Sequence, residues 1–412
     1  MRKSNLKRGS SRFFIAALAV IGLFASSAFA QEPAKFHIGI CTETVSQAED
    51  DLRGAEELIK RYGDASYGGM IKHITYPDNF MTEQETTISQ ISALADDPLM
   101  KVIVVNSAVP GTTEAFRRIR AVRPDILLFA SAIHEDPAVV ASAADLLVHN
   151  NSVARGYLII LAAKKLGCTD FVHISFPRHM SYELLSRRAR IMEAACQDLG
   201  IRYHFESAPD PTSDVGVAGA QQFMLEKVPQ WVEKYGEKTA FFCTNDAQTE
   251  PLLKRIAEGG KGFFIEADLP SPLMGYPGAL GIDLADVAGD FPAILKRVEK
   301  AVIEKGGAGR MGTWAYSIGF TNSVTLGEYG KALVEHGVDG SNFRRNFKRE
   351  DLLKAYDANT PGAKWNGAGY VDVNTGLELK NMLMIYQDTY IFGKGYLNMT
   401  SETVPAKYYS MK

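Results

Sequence analysis

Short apolar runs alternate with amphipathic stretches over most of the chain, and this alternation limits the folds that it can adopt. The run at 101–106 is almost continuously apolar, which is typical of a parallel strand buried on both faces. The stretches between such runs have helical spacing, and two of them end at Gly167 and Gly200. Strands separated by helices predict right-handed βαβ units, so we expect an α/β protein with parallel sheets.

Two successive series of these units are expected, and the second begins at residue 151. Strands are predicted at 36–41, 70–76, 101–106, 125–130 and 145–149, and then at 170–175, 202–206, 239–244 and 262–266. Helices are predicted at 46–61, 82–95, 113–122, 152–166, 182–199, 216–235 and 250–258, and Thr82 with Glu85 fits a capping box. We therefore predict two doubly wound parallel-sheet lobes, with a (β/α)₈ barrel as the alternative.

The last part of the chain has a different pattern. Helices are predicted at 286–304, 323–336, 349–356 and 377–390, and strand signal is thin after Gly337. We expect a mostly helical C-terminal appendage packed on the lobes. The expected boundaries are 31–150 plus about 250–283 for the N-terminal lobe, 151–249 plus about 284–320 for the C-terminal lobe, and 321–412 for the extension.

The first thirty residues have the order of a secretory signal peptide. Five basic residues precede an apolar run at 13–24, and Ala28-Phe29-Ala30 stands before Gln31. The run is shorter than the roughly 20 residues that span a bilayer. We therefore expect cleavage near Ala30-Gln31, a periplasmic protein and a mature chain without a membrane span.

Loss of the signal peptide changes the charge of the chain. The formal net charge of −3 becomes −8 when the five basic residues Arg2, Lys3, Lys7, Arg8 and Arg12 are removed, since residues 1–30 contain no Asp or Glu. A mildly acidic chain without a dense basic patch is not expected to bind nucleic acid.

Polar and aromatic side chains follow nearly every predicted strand. Ligands of open parallel sheets bind at the carboxyl ends of the strands. The candidates in the first series are Glu43, Tyr76, Asp78, Asn106, Ser107, His134 and Asn150, and those in the second are Phe176, Arg178, Asp210, Asn245, Asp246 and Asp268. Any one of these residues could be polar simply because it lies in a loop that faces solvent. The whole set favours a small polar ligand, sugar-like or nucleoside-like, because it combines acceptors, directed donors and aromatic faces.

Short motifs connect this pattern to a known family. The segments Asn150-Asn151-Ser152-Val153-Ala154-Arg155-Gly156 and Thr244-Asn245-Asp246-Ala247-Gln248 resemble the first crossover and the Asn-Asp strand end of type I periplasmic solute-binding proteins, the ribose-binding-protein-like class. The stretch 278–283 resembles a later strand near a crossing. The resemblance covers about residues 36–325. Gln248 to Pro251 replace the small residues usual after the Asn-Asp pair, and the tail from 337 is longer, so an uncharacterised bacterial branch is expected.

The resemblance implies a hinged, two-lobed binder that delivers a solute to a membrane permease or receptor. Segments near Asn150, Asp268 and 313–317 would be the hinges, and such binders are commonly monomers. The ligand-sensing variant, which acts on a membrane receptor, is the first alternative, and an exported enzyme on a doubly wound fold is the second.

Motifs for catalysis are missing from the sequence. There is no G-x-S-x-G, no G-x-x-x-x-G-K-[ST] and no G-x-G-x-x-G after the first strand, so no enzyme, cofactor or metal is expected. His179 could hydrogen-bond a solute, although a structural role is also open to it. Cys168 and Cys196 fall at the same edge of the second sheet, where a disulfide is one hypothesis.

Overall fold

The computed structural model describes residues 34–411, and the predicted signal peptide lies outside them. Its strands are β1 (His37–Thr42), β2 (Ile71–Thr75), β3 (Met100–Val105), β4 (Leu127–Ser131), β5 (Leu146–Asn150), β6 (Asp170–Ser175), β7 (Arg202–Ser207), β8 (Thr239–Cys243), β9 (Phe263–Phe264), β10 (Gly312–Trp314), β11 (Trp365–Val371), β12 (Glu378–Gln387), β13 (Thr389–Ile391) and β14 (Gly395–Tyr396).

Its helices are α1 (Val45–Tyr62), α2 (Gln84–Ala93), α3 (Thr112–Val122), α4 (Pro137–Ala143), α5 (Ser152–Lys165), α6 (Pro177–Met180), α7 (Glu183–Leu199), α8 (Gly216–Tyr235), α9 (Thr249–Gly259), α10 (Tyr276–Leu280), α11 (Phe291–Glu304), α12 (Ile318–Glu335), α13 (Phe343–Asn346), α14 (Arg349–Asn359) and α15 (Ala406–Tyr409). Within residues 34–411, no helix is both long and apolar enough to cross a membrane.

The larger sheet has the strand order β11-β12-β5-β4-β3-β1-β2. All neighbours in it are parallel except β11, which runs antiparallel to β12. Its inner strands, such as β3 and β4, are buried on both faces because helices cover both. Val102 and Val104 face the core formed with α1 and α12, whereas Ile103 and Val105 face the core formed with α2, α3 and α4. We call this sheet and its helices the first lobe.

The smaller sheet has the order β7-β6-β8-β9, with every pair parallel. Val172 and Ile174 of β6 pack against α8, α9 and α11 in one core, and Phe171 packs on the other side with α5 and α7. We call this sheet and its helices the second lobe. A third sheet of β10, β13 and β14 is formed where the chain returns from one lobe to the other.

Helix α12 returns the chain to the first lobe and packs tightly on α1. A Cβ atom on Gly54 of α1 would lie 2.6 Å from the carbonyl oxygen of Phe320 and 2.7 Å from Cβ of Ser323. The absence of a side chain at Gly54 therefore lets the two helix backbones approach closely.

Most predicted elements up to residue 266 are present, and the fold class is confirmed as two parallel-sheet lobes. The prediction of a helix at 377–390 is wrong, because this segment forms β12 and pairs with β5. Strands therefore follow Gly337, and the chain after residue 321 contributes to the sheet of the first lobe as well as adding helices. The strand expected at 278–283 is also wrong, since α10 occupies its first half and no strand follows there.

Smaller departures have local causes. The long helix expected at 286–304 begins only at Phe291, after a turn with Gly289 at φ +81°. The capping box is wrong because Thr82 donates to the carbonyl of Asn79 and α2 begins two residues later. Segment 250–283 departs from the expected boundaries, since β9 pairs with β8 in the second lobe. The four cysteines are buried free thiols, so Cys168 and Cys196 are not bridged.

Candidate functional site

A cleft of about 1770 Å³ lies between the carboxyl ends of the two parallel sheets. Nine of the residues predicted from the sequence line it, namely Glu43, Asp78, Ser107, His134, Asn150, Arg178, Asn245, Asp246 and Asp268. Both lobes contribute because each parallel sheet presents its strand ends to the same space. The cleft can therefore contact a solute from two sides.

The other four predicted residues support the lining from behind. Tyr76 is buried and donates to the carbonyl of Ser107 at 2.6 Å. Asn106 donates to the carbonyl of Gly319 and accepts a hydrogen bond from Ser131. Phe176 contacts the ring of His179 and the guanidinium of Arg178. Asp210 forms an ion pair with Arg178. They position the wall of the cleft rather than line it.

Two residues at the strand ends of the first lobe have strained backbone. Ser107 has φ +53° and Ala132 has φ +46°, a region that residues other than glycine rarely occupy. They directly follow the Asn106 and Ser131 pair at the ends of β3 and β4. The Ser107 hydroxyl donates to Oδ2 of Asp51 at 2.7 Å. Such strain is found at ligand sites, where the surrounding structure holds it.

Carboxyl groups of the first lobe are concentrated at one end of the cleft. Glu43 follows β1, and Asp50 and Asp51 lie in the first turns of α1. Burial, followed by the charge of Asp51, raises the pKa of Glu43 to about 8. Burial also raises the pKa of Asp51 to about 7. Glu43 and Asp51 therefore hold protons for much of the time near neutral pH unless a cation lies beside them.

The second lobe adds a carboxyl group and a buried ion pair. Burial and then the charge of Asp268 raise the pKa of Asp246 well above its usual value. Asp268 forms an ion pair with Arg188, a side chain that is only 1% exposed and lies 4.8 Å from the ring centre of Phe242. The positive charge of Arg188 is therefore already neutralised by Asp268.

Histidine and aromatic rings form another wall. His134 stacks with Tyr182 at 6.2 Å between ring centres, and His179 lies 5.7 Å from Tyr182. Burial lowers the pKa of both histidines, and of His149, to about 4. At neutral pH these rings are uncharged, so they offer a flat surface with hydrogen-bonding nitrogens.

Arg178 is fixed on the rim of this wall. Its Nε and Nη2 donate to the two carboxylate oxygens of Asp210 at 2.7 and 2.9 Å. This fork geometry holds the guanidinium plane firmly, while Nη1 is 3.2 Å from the hydroxyl of Tyr182. Arg178 is therefore positioned to orient Tyr182, and one edge of its guanidinium group can donate hydrogen bonds to a solute in the cleft.

The crossing segments meet behind the cleft at a buried ion pair. Arg155 of α5 donates through Nε to Oε1 of Glu266 at 2.7 Å, and both side chains are fully buried. The other guanidinium nitrogens donate to the carbonyls of Ala267 and Asp268. Trp314, on another crossing segment, donates to Oε2 of Glu266 at 2.9 Å. This network joins the segments expected to be hinges.

Several residues that line the cleft were missed from the sequence, namely Asp50, Asp51, His149, Tyr182 and Arg188. Asp50, Asp51 and Arg188 lie on helices, His149 lies within β5, and Tyr182 directly precedes α7. A signal existed for Arg188, which lies four residues after Leu184 and three before Ile191 on the apolar stripe of α7. A charged residue on such a stripe needs a buried partner or a ligand.

Family models match two parts of the chain. A family model described as "Protein of unknown function (DUF3798)" matches residues 36–312, and a second family model matches residues 323–411. An uncharacterized protein of Treponema pallidum (strain Nichols) is 44% identical over 178 residues, which are 43% of this chain and 80% of that protein.

Solved structures are similar at low identity. A putative transcriptional regulator from Clostridium difficile 630 has a TM-score of 0.71 at 20% identity, over 87% of this chain and 99% of that one. An ABC transporter solute-binding protein from Clostridium phytofermentas, with bound L-rhamnose, has a TM-score of 0.48 at 10% identity, over 91% of this chain and 98% of that one. The likeness to the Clostridium difficile protein shows a shared fold.

Proposed function

This chain belongs to the DUF3798 family, and we propose that it is a solute-binding protein that captures a small polar, sugar-like or nucleoside-like molecule in the cleft between its lobes. One observation carries the proposal. Nine polar residues from the strand ends of both lobes face one cleft, so a solute could contact both lobes at once. Closure on a bound solute then follows from its contacts with both sides.

The proposal includes the setting of the protein. We propose that the chain is exported to the periplasm, cleaved near Ala30-Gln31 and active as a monomer that delivers its solute to a membrane permease. Fractionation of cells and N-terminal sequencing of the isolated protein test export, with a first residue near Gln31 expected. A chain that keeps its first thirty residues in the cytoplasm would contradict this part.

Binding is tested by thermal unfolding of the purified protein with sugars, nucleosides, polyols and amino acids. A solute at 100 times its Kd should add about 2.7 kcal/mol to the free energy of unfolding. We expect a dose-dependent rise in the midpoint temperature of unfolding, without turnover of the solute. For a chain of this size, each kcal/mol should raise that temperature by at most about 2–4 °C.

A matched pair of variants locates the binding. Tyr182→Ala removes an aromatic ring from the cleft wall and should reduce the solute-induced shift. Tyr67→Ala removes a ring that is 92% exposed and does not line the cleft, and it should leave the shift unchanged. Equal shifts in the two variants would place binding elsewhere, and chemical conversion of the solute would favour the enzyme alternative.

A further inference from the structure

The cleft has an excess of negative charge that the chain does not balance. Fourteen Asp and Glu residues line it, against four Lys and Arg residues. All four basic residues are already paired with acidic ones: Arg53 with Glu49 and Glu56, Lys60 with Glu57, Arg178 with Asp210, and Arg188 with Asp268. The histidines of the wall are uncharged at neutral pH, as their lowered pKa values show.

Three carboxyl groups at one end of the cleft are left without a cation. Among residues 34–411, no Lys, Arg or His side chain forms an ion pair with Glu43, Asp51 or Asp246. The three are close enough to act on one another, since Asp51 and Asp246 both raise the pKa of Glu43. Two of them belong to the first lobe and one to the second, so they repel each other across the cleft whenever they are ionised.

Unused hydrogen-bond acceptors lie at the same end. Asn150 is 3% exposed and lines the cleft, and its Oδ1 has no hydrogen-bond partner among the described residues. Its Nδ2 is directed at the carbonyl of Asp268, whose carboxylate acts on Asp246. Oδ1 of Asp246 is likewise shielded from solvent and without a partner in this part of the chain. Buried acceptors without donors are costly, so a ligand that supplies donors would be favoured.

We propose, building on the solute-binding function above, that the solute carries a protonated amine held between the carboxyl groups of Glu43 and Asp51 in the first lobe and that of Asp246 in the second. An ammonium group has three donors and no acceptor, which matches a site of acceptors only. It would also replace repulsion between the lobes by attraction and so favour the closed form.

An organic amine fits better than a bare metal ion. Within residues 34–411, no group of three or more His, Cys, Asp or Glu side chains is arranged to hold a metal. The histidine and tyrosine wall offers a flat surface to the remainder of a larger solute. An amino-substituted sugar or a diamine combines both requirements.

Calorimetric titration with matched solutes tests the proposal. The pairs are glucosamine with glucose, galactosamine with galactose, and putrescine with 1,4-butanediol, measured on the same purified protein. We expect at least one amine to bind at least tenfold more tightly than its hydroxyl partner, because one charge-assisted hydrogen bond is worth about that much. Equal or tighter binding of the neutral partners, or a response to MgCl₂ alone, would overturn the amine while leaving solute binding intact.

The dependence of affinity on pH is a second readout. Putrescine stays charged between pH 5.5 and 8, so its binding must displace the protons held by the carboxyl groups. Its affinity should rise with pH, by up to about tenfold per pH unit for each proton released. A neutral solute held by protonated carboxyl groups would show the opposite trend. Absence of binding by every solute, with no small molecule found with the native protein by mass spectrometry, would contradict the solute-binding function as well.

Two variants separate charge from structure. Asp246→Asn keeps the shape of the side chain and should weaken amine binding at least tenfold. Glu258→Gln changes a carboxylate that does not line the cleft and is already paired with Arg255 at 2.8 Å, and it should leave affinity unchanged. Equal affinities in Asp246→Asn and the unmodified protein would refute the assignment of this carboxyl group.

Discussion

Arg155 joins α5 to the segment 266–268 through one side chain. Its guanidinium contacts Glu266 and two carbonyls of the segment that follows β9. Replacement by Met would leave the Glu266 carboxylate buried without its cation. We expect Arg155→Met to lower the free energy of unfolding by about 3–5 kcal/mol, measured by urea denaturation. Lys300→Met removes an exposed partner 3.9 Å from Glu304, and a similar loss there would show that burial is not the cause.

Glu43 makes stability depend on pH in an unusual direction. Its pKa is about 8 in the folded protein, so between pH 4.5 and 8 the folded state holds more proton than the unfolded state. The stability that this proton provides is complete at low pH and is lost as the pH rises towards 8. Glu43→Gln removes the titration, and we expect the variant to gain about 1–3 kcal/mol relative to the unmodified protein between pH 5 and 8.

Urea denaturation at pH 5, 6.5 and 8 measures this difference. The matched control is Glu304→Gln, an exposed carboxylate on α11, for which we expect a constant difference at the three pH values. A Glu43→Gln variant whose advantage does not grow with pH would show that Glu43 is ionised in the folded protein.

At the scale of elements, the contact between α1 and α12 depends on Gly54. Alanine there would place Cβ 2.6 Å from a backbone oxygen, so the helices must separate. We expect Gly54→Ala to lower the free energy of unfolding by about 1–3 kcal/mol. Gly259→Ala lies at the end of α9 with open space around it and should be neutral or stabilising by up to about 1 kcal/mol. Thermal unfolding of both variants compares them directly.

The elements of the first 266 residues could be predicted because their signals are local. A run such as 101–106 is buried on both faces and has no helical spacing. β12 could not be predicted in this way, because Leu, Glu, Lys and Met dominate the sequence of 378–384 and are good helix formers. Pairing with β5, far away in the chain, decides its structure.

The same distinction applies to the cleft. Residues at strand ends, such as Asn245, could be predicted because parallel topology brings all those ends to one edge. Asp51 could not, because its place in the cleft depends on how α1 packs on α12. The excess of acceptors likewise becomes visible only once the partners of each basic residue are known.

At the scale of the whole molecule, the first lobe depends on the C-terminal part of the chain. A chain that ends at residue 376 lacks β12 and leaves the edge of β5 unpaired. We expect it to lose cooperative unfolding and to be cut rapidly by proteases. A chain that ends at residue 402 lacks α15 but keeps β12, and it should unfold cooperatively. Equal resistance of the two chains to limited proteolysis would contradict a structural role for β12.

The insertion of β12 beside β5 also sets an order of events during synthesis. The strands of the second lobe are contiguous in the chain, so that lobe can fold as soon as residues 152–311 have emerged. Strands β1 to β5 of the first lobe are synthesised earlier, and the edge of β5 stays unpaired until residues 378–387 have been made. During that interval a chaperone could bind the unpaired strand edge. The lobe that is translated first would therefore be the lobe that is completed last.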